Sequence, residues 1–248
     1  LKKIIKILIF IVLVTLAVWV GYKFYITKTD DVSKKAIERI QQKNDKVITE
    51  NKEENEIFEK KKLELEELKK INKDIVAILD IPDTHVYYPI FKSEDNSYYM
   101  RRNIYCNYDL NGSIFMDYEC EVDTSTNLIL YGHNMSSDNM FSDLIKYKEK
   151  EFFDSHRTIY LYTLNDVREY KVVGSYIIDL TNEDKFFNFN IYINKSDAMN
   201  SIDYIDNLNN MTVQSENVYI NEDSKLITLS TCTYESKNAR LLIVGVLQ

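Results

Sequence analysis

Residues 225–247 read KLITLSTCTYESKNARLLIVGVL. Two apolar runs, 226–232 and 241–247, flank a polar connection, and the spacing predicts a β-hairpin. Along the first run side chains alternate with period two, so Leu226, Thr228, Ser230 and Cys232 share one face, and that face is mixed rather than apolar. The connection TYESKNA is short enough to make the two strands neighbours. Cys232 and Arg240 are therefore expected near the same end of adjacent strands. A strand cysteine is ordinarily a small buried hydrophobe, and an arginine opening a strand ordinarily meets a surface carboxylate. Placing both at one strand end raises a second reading, that of a reactive pair.

Working outward, similar short runs recur at 75–79, 86–88, 113–116, 128–131, 158–162 and 170–178. Eight such strands predict a mainly β fold, a closed barrel rather than a parallel α/β sheet. Two interruptions read as helical. NMFSDLIKYKEKEFFDSH spans 139–156, and SDAMNSIDYIDNLNN places Met199, Ile202, Ile205 and Leu208 at helical spacing behind Ser196 as a cap.

Upstream of residue 75 the composition changes. From Ser33, a plausible helix cap, to Asp74 the chain is rich in Lys, Glu, Asn and Gln with no Gly or Pro, which predicts one long helix or two. A heptad frame through Ile37, Ile40 and Val47 fails at Asn44, Asn51, Glu54 and Lys61 and recovers at Phe58, Leu65 and Leu68. The first half is therefore expected to be a solvated spacer, and the second half to dock on the barrel. At the N-terminus, Lys2, Lys3 and Lys6 precede an uncharged run from Ile7 to Tyr22, which reaches spanning length if Lys6 snorkels. Thr15-Leu16-Ala17 would suit signal cleavage, but the apolar run continues through Val18, Trp19 and Val20, favouring an uncleaved anchor. Lysines before the run outweigh Lys23 and Lys28, which Asp30 and Asp31 follow, so the N-terminus is expected inside and the folded domain outside the cell membrane. The expected division is an anchor at 1–22, a charged helical spacer at 23–74 and a barrel domain at 75–248.

Composition limits the chemistry further. The 248 residues carry 31 basic and 39 acidic side chains, a net charge of −8, with no basic face interleaved with aromatics beyond the N-terminal third, so nucleic acid is not an expected partner. The three cysteines, Cys106, Cys120 and Cys232, form neither a C-x-x-C nor a Cys/His cluster at zinc spacing; no metal site and no cofactor is expected. The odd count leaves at least one thiol outside any disulfide. In NLILYGHNM, residues 127–135, an apolar strand runs into Gly132 and His133, which places a histidine at a barrel rim. Cysteine nucleophiles need an imidazole nearby and a donor for the developing oxyanion, and His133 and Arg240 are of those types.

The segments NGSIFMDY, NLILYGHNM, MFSDLIKY, TIYLYT and above all LITLSTCTYESKNARLLIVGVL resemble the class B sortases, membrane-anchored cysteine transpeptidases of Gram-positive bacteria. The resemblance covers about 74–247 and implies a closed eight-stranded sortase-type barrel with peripheral helices. By resemblance, Cys232 attacks the threonyl carbonyl of a sorting signal, His133 protonates the leaving amine and Arg240 steadies the tetrahedral oxyanion. The acyl-enzyme is then released by a peptidoglycan amine, a two-step covalent route. Tyr131 and Ser230 match positions lining the site, and Asn96 and Met100, in EDNSYYM, match positions that contact the signal peptide. Thr233, the residue after the nucleophile, varies in the family; it joins the candidate substrate contacts and leaves open whether the signal is of the N-P-x-T or S-P-x-T type. Ile78, in DIVAILDI, stands where relatives often carry Trp, and the helix near Met199 to Leu208 is expected to wall the groove. His85 and His156 match no catalytic position and are read as structural or surface groups. Rival readings are a pilin polymerase, a cysteine protease using water, and a membrane-tethered interaction module without catalysis.

Overall fold

The computed structural model describes residues 10–21, 32–45, 53–135, 139–181, 186–196, 199–236 and 238–248. Nine strands are present among them: β1 (Ile75–Asp80), β2 (Tyr87–Phe91), β3 (Ile114–Met116), β4 (Asn127–Tyr131), β5 (Thr158–Tyr162), β6 (Val167–Asp179), β7 (Thr212–Ser215), β8 (Leu226–Cys232) and β9 (Ala239–Leu247). Eight of them close a barrel in the order β5, β1, β2, β3, β4, β8, β9, β6 and back to β5. The predicted mainly β closed barrel is what the chain forms. β6 makes closure possible by its length of 13 residues. It pairs with β9 along Tyr170–Asp179, while pairing with β5 along Val167–Lys171 and, further on, with β7 along Gly174–Tyr176. β7 was not foreseen, because no side chain in its TVQS is fully buried and no apolar run marks it. By contrast β8 and β9 are buried over nearly their whole length, which is why their sequences are almost free of charge.

The helices are α1 (10–21), α2 (Val32–Asp45), α3 (Glu53–Ile71), α4 (Lys150–Ser155) and α5 (Ser201–Leu208). In α1 the apolar side chains of Phe10, Leu13 and Trp19 are exposed. Among the described residues no helix is long and apolar enough to cross a membrane. Lys2, Lys3, Lys6 and the start of the expected span lie outside the described residues, as do Lys23, Lys28, Asp30 and Asp31.

One expectation is corrected: α2 is not a solvated spacer. Ala36, Ile37 and Ile40 make one apolar stripe, and all three are buried with Leu65 and Leu68 of α3 and Ile75 and Ile78 of β1. The stripe covers little more than one turn, too short to register as a heptad seam, yet enough to seat a 14-residue helix. Ile78 is fully buried in this layer. Ser33, read as a cap, lies inside α2. Val47 of the heptad frame, and Asn44, Asn51 and Glu54 that broke it, have no described side chains, whereas Lys61, the remaining break, lies over the Tyr87 ring, 4.2 Å from its centroid.

Beneath Lys61, Glu64 is only 1 % exposed; its Oε2 accepts the Tyr87 hydroxyl at 2.9 Å, with the Lys61 ammonium at 3.9 Å. Burial raises the Glu64 pKa, against the lowering pull of Lys61. A folded-state pKa above the unfolded one means that the native state holds this proton more tightly, so the stabilising contribution is present at low pH and is lost as pH rises through the folded value. Glu64→Gln keeps an acceptor for Tyr87 and removes the buried charge. It is expected to raise Tm at pH 7.5, by about 2–4 °C per kcal/mol regained, and to lose that advantage as the pH is lowered toward 4. Thermal melts at the two pH values measure this, and a variant less stable at both would show that the Lys61 attraction outweighs desolvation.

On the other side of the barrel, α5 carries a capping box of Asn200 and Asp203. Ser196, expected as the cap, is instead bridged to Met199. Tyr204 and Leu208 bury the inner face of α5 in the core.

Candidate active site

The site forms where β4, β8 and β9 end together. β4 and β8 run parallel with Tyr131 opposite Ser230, and β8 and β9 run antiparallel with Cys232 opposite Arg240. The predicted neighbours are thus directly paired residues. Three hydrogen bonds then sew the loop after β4 onto β8. The Gly132 N–H donates to the Ser230 carbonyl at 3.2 Å, the Thr231 hydroxyl to the Gly132 carbonyl at 2.8 Å, and the Asn134 amide to the Cys232 carbonyl at 3.2 Å. Gly132 has no room for a side chain, since a Cβ there would stand 2.6 Å from the Phe141 ring. The loop carrying His133 is therefore held against the strand carrying Cys232.

A cleft of about 570 Å³ opens at this junction, with Met100, His133, Phe189, Cys232 and Arg240 among its walls. Cys232 and Arg240 are partly exposed to it, and Arg240 donates from Nη1 to the Ala239 carbonyl at 3.1 Å. His133 places Nε2 at 2.9 Å from the Met100 carbonyl. Burial pushes the His133 pKa down; the Met100 carbonyl opposes this, and Arg101 and Arg240 add to the lowering. A thiol, an imidazole and a guanidinium around one cleft can carry out acyl transfer: attack, proton delivery to a leaving group and oxyanion stabilisation. None of the three cysteines forms a disulfide.

The sortase domain model matches residues 79–248. Sortase B of Listeria monocytogenes is 35 % identical over 187 residues, 74 % of each chain. The chain belongs to the class B sortases. Among solved structures, Staphylococcus aureus sortase B has 26 % identity and a TM-score of 0.70 over 85 % of this chain and 96 % of that one. A Staphylococcus aureus sortase B–substrate complex has 25 % identity and a TM-score of 0.68 over 85 % and 94 %. The protein is accordingly a cysteine transpeptidase of the sortase B type.

Asn96, Met100, Tyr131 and Ser230 of this sortase also line the cleft. Under them lies a residue that sequence reading missed. Asp117 is buried, and its Oδ2 accepts from Asn96 Nδ2 at 2.9 Å and from the Tyr131 hydroxyl at 2.7 Å. The Asn96 Oδ1 in turn accepts the Tyr118 N–H at 3.0 Å, so the orientation of the Asn96 amide is set on both sides. Desolvation raises the Tyr131 pKa, as does the adjoining Asp117, and keeps the phenol protonated.

Two expectations differ from the sortase as folded. Thr233 is buried away from the cleft, where its hydroxyl accepts from Lys148 Nζ at 2.6 Å and meets Glu235. The groove wall expected from α5 is made instead by Phe186, Asn188, Phe189 and Asn190, just past β6, while α5 packs inward. Their signal was the aromatic stretch FFNFN, 186–190, which follows no helical or strand period. His85 bonds Asp143 at 2.9 Å, and His156 stacks on Phe152 with ring centroids 3.8 Å apart; neither lines the cleft.

Proposed function

We propose that this sortase cleaves the C-terminal sorting signal of surface proteins, of N-P-x-T or S-P-x-T type, at the threonyl carbonyl, and joins the acyl fragment to a peptidoglycan amine. The Cys232 sulfur attacks, the carbonyl oxygen becomes an oxyanion beside the Arg240 guanidinium, and the C–N bond breaks as His133 gives its proton to the leaving amine. The thioester is then attacked by the acceptor amine, whose proton passes to His133 as the Cys232 sulfur leaves. Asn96, Met100, Tyr131 and Ser230 hold the signal. The single observation that carries this reading is the direct pairing of Cys232 with Arg240, with the His133 loop hydrogen-bonded to the same strand end.

Residues 1–22 serve as a single-pass anchor in the cell membrane with the N-terminus inside, so that the barrel works at the outer surface where wall precursors are found. Residues 23–74 link the anchor to the catalytic barrel at 75–248. The apolar side chains exposed along 10–21 support the anchor, since such a surface is ordinarily covered by lipid or protein.

Mass spectrometry of the full chain with a panel of N-P-x-T and S-P-x-T peptides, with and without a small amine, tests the assignment. The expected result is a thioester on Cys232 and amine-dependent transfer of the acyl fragment. A Cys232 that reacts with a thiol reagent yet takes no acyl group from any peptide would overturn the substrate class.

A further inference from the structure

A carbonyl oxygen can only accept a hydrogen bond, so the nitrogen of His133 that meets the Met100 carbonyl at 2.9 Å carries a proton. Among the described residues, the other ring nitrogen, Nδ1, has no hydrogen-bond partner. We propose that the Met100 backbone carbonyl positions His133, fixing a proton on Nε2 so that Nδ1 alone exchanges protons in the reaction, and that Gly112 is the residue that lets this carbonyl stand there. The inference rests on the acyl-transfer reading and adds the device that orients its acid.

Met100 lies in the 3₁₀ turn Tyr98–Arg101, and the loop that follows wraps back and clamps that turn. The Asp109 N–H donates to the Arg101 carbonyl at 3.0 Å, and the Ser113 N–H to the Tyr99 carbonyl at 3.0 Å. The Ser113 hydroxyl donates to the Arg102 carbonyl at 2.8 Å, and the Arg101 guanidinium bonds the Leu110 carbonyl. At the closest approach sits Gly112 with φ +61°, where a Cβ would stand 2.4 Å from the Met100 oxygen and 2.8 Å from its carbon. Both the left-handed backbone and the missing side chain are needed for the carbonyl to face His133. The same turn presents the Met100 side chain to the cleft. One short segment therefore touches the signal peptide with its side chain and the imidazole with its backbone.

The carbonyl also favours the protonated imidazole, because it accepts from a ring N–H that the imidazolium must keep. The charged groups facing His133 are Arg101 from the turn and Arg240 from β9, which both oppose its protonation, with the Cys232 thiol as the titratable group across the cleft on β8. Loss of the carbonyl would leave only opposing influences. The limb of the pH–rate profile that belongs to His133 would then move to lower pH.

The chain has three histidines, so selective ¹⁵N-histidine labelling of the full chain in detergent micelles resolves each ring, with His85→Gln and His156→Gln assigning the other two. At a pH above its titration, His133 is expected as the Nε2–H tautomer. In Gly112→Ala the preference is expected to disappear, the acylation rate to fall by about tenfold to a hundredfold and the His133 limb to move acid. An Nδ1–H tautomer in the unaltered chain overturns the proposal, as does a Gly112→Ala protein that is slower while keeping the Nε2–H signal. If Gly112→Ala does not fold, the spectrum of the unaltered chain still decides. Failure of every peptide to acylate Cys232, with the Nε2–H tautomer present, would refute the substrate reading and leave this one standing.

Discussion

Cys232→Ala is expected to abolish thioester formation and amine transfer, a loss of about 10⁴-fold or more, while Tm changes by about 1–2 °C at most. The separation follows from what the residue contributes. Its backbone pairs with Arg240 and its carbonyl accepts from Asn134, and both contacts survive in alanine. Its sulfur lies at the wall of the cleft, partly exposed, and supports no packing layer. Cys120 is the contrasting thiol. It is fully buried, burial pushes its pKa up to about 12, and it cannot substitute as a nucleophile. Intact-mass detection of the acyl-enzyme, alongside a thermal melt, measures both halves; residual transfer above about one per cent of wild type would remove Cys232 from its role.

For Arg240→Ala the expected loss is about 10²–10³ in the acylation rate, the scale of one oxyanion donor. Arg240→Lys is expected to recover only a fraction, because an ammonium keeps the charge without the planar fork of donors. Stability should hardly change, since the hydrogen bond Arg240 makes to its neighbour's carbonyl is a local one on a partly exposed side chain. Single-turnover acylation isolates the step from the acceptor amine. A variant that acylates at the wild-type rate would place the oxyanion elsewhere.

How much the sequence discloses depends on the range of the forces involved. The β8–β9 hairpin was legible because alternation, a short turn and an uncharged second strand all point the same way, and it brought Cys232 and Arg240 together. Thr233 differs because it lies past the end of β8, where its hydroxyl is taken up by Lys148 and Glu235, so chain adjacency to Cys232 did not make it a cleft residue. Asp117 was not legible, because its partners Asn96 and Tyr131 are 21 and 14 residues away and only the folded barrel joins them. β7 and the Phe186–Asn190 wall carry no periodic signal. The docking of α2 was missed for a different reason: three apolar side chains suffice when the surface they meet is already apolar, and that surface belongs to Leu65, Leu68 and β1.

The parallel pairing of β4 with β8 has a consequence for biogenesis. The bonds from Thr231 to Gly132 and from Asn134 to Cys232 span 99 and 98 residues of chain, and everything from β5 to β7 must be laid down between the two strands. Contacts of such high sequence separation form late, because loop-closure entropy opposes them until the intervening strands have paired. A nascent or partly folded chain thus carries its thiol without the imidazole beside it. Acyl-transfer competence is gained together with ring closure, and a molecule that stalls during folding lacks it.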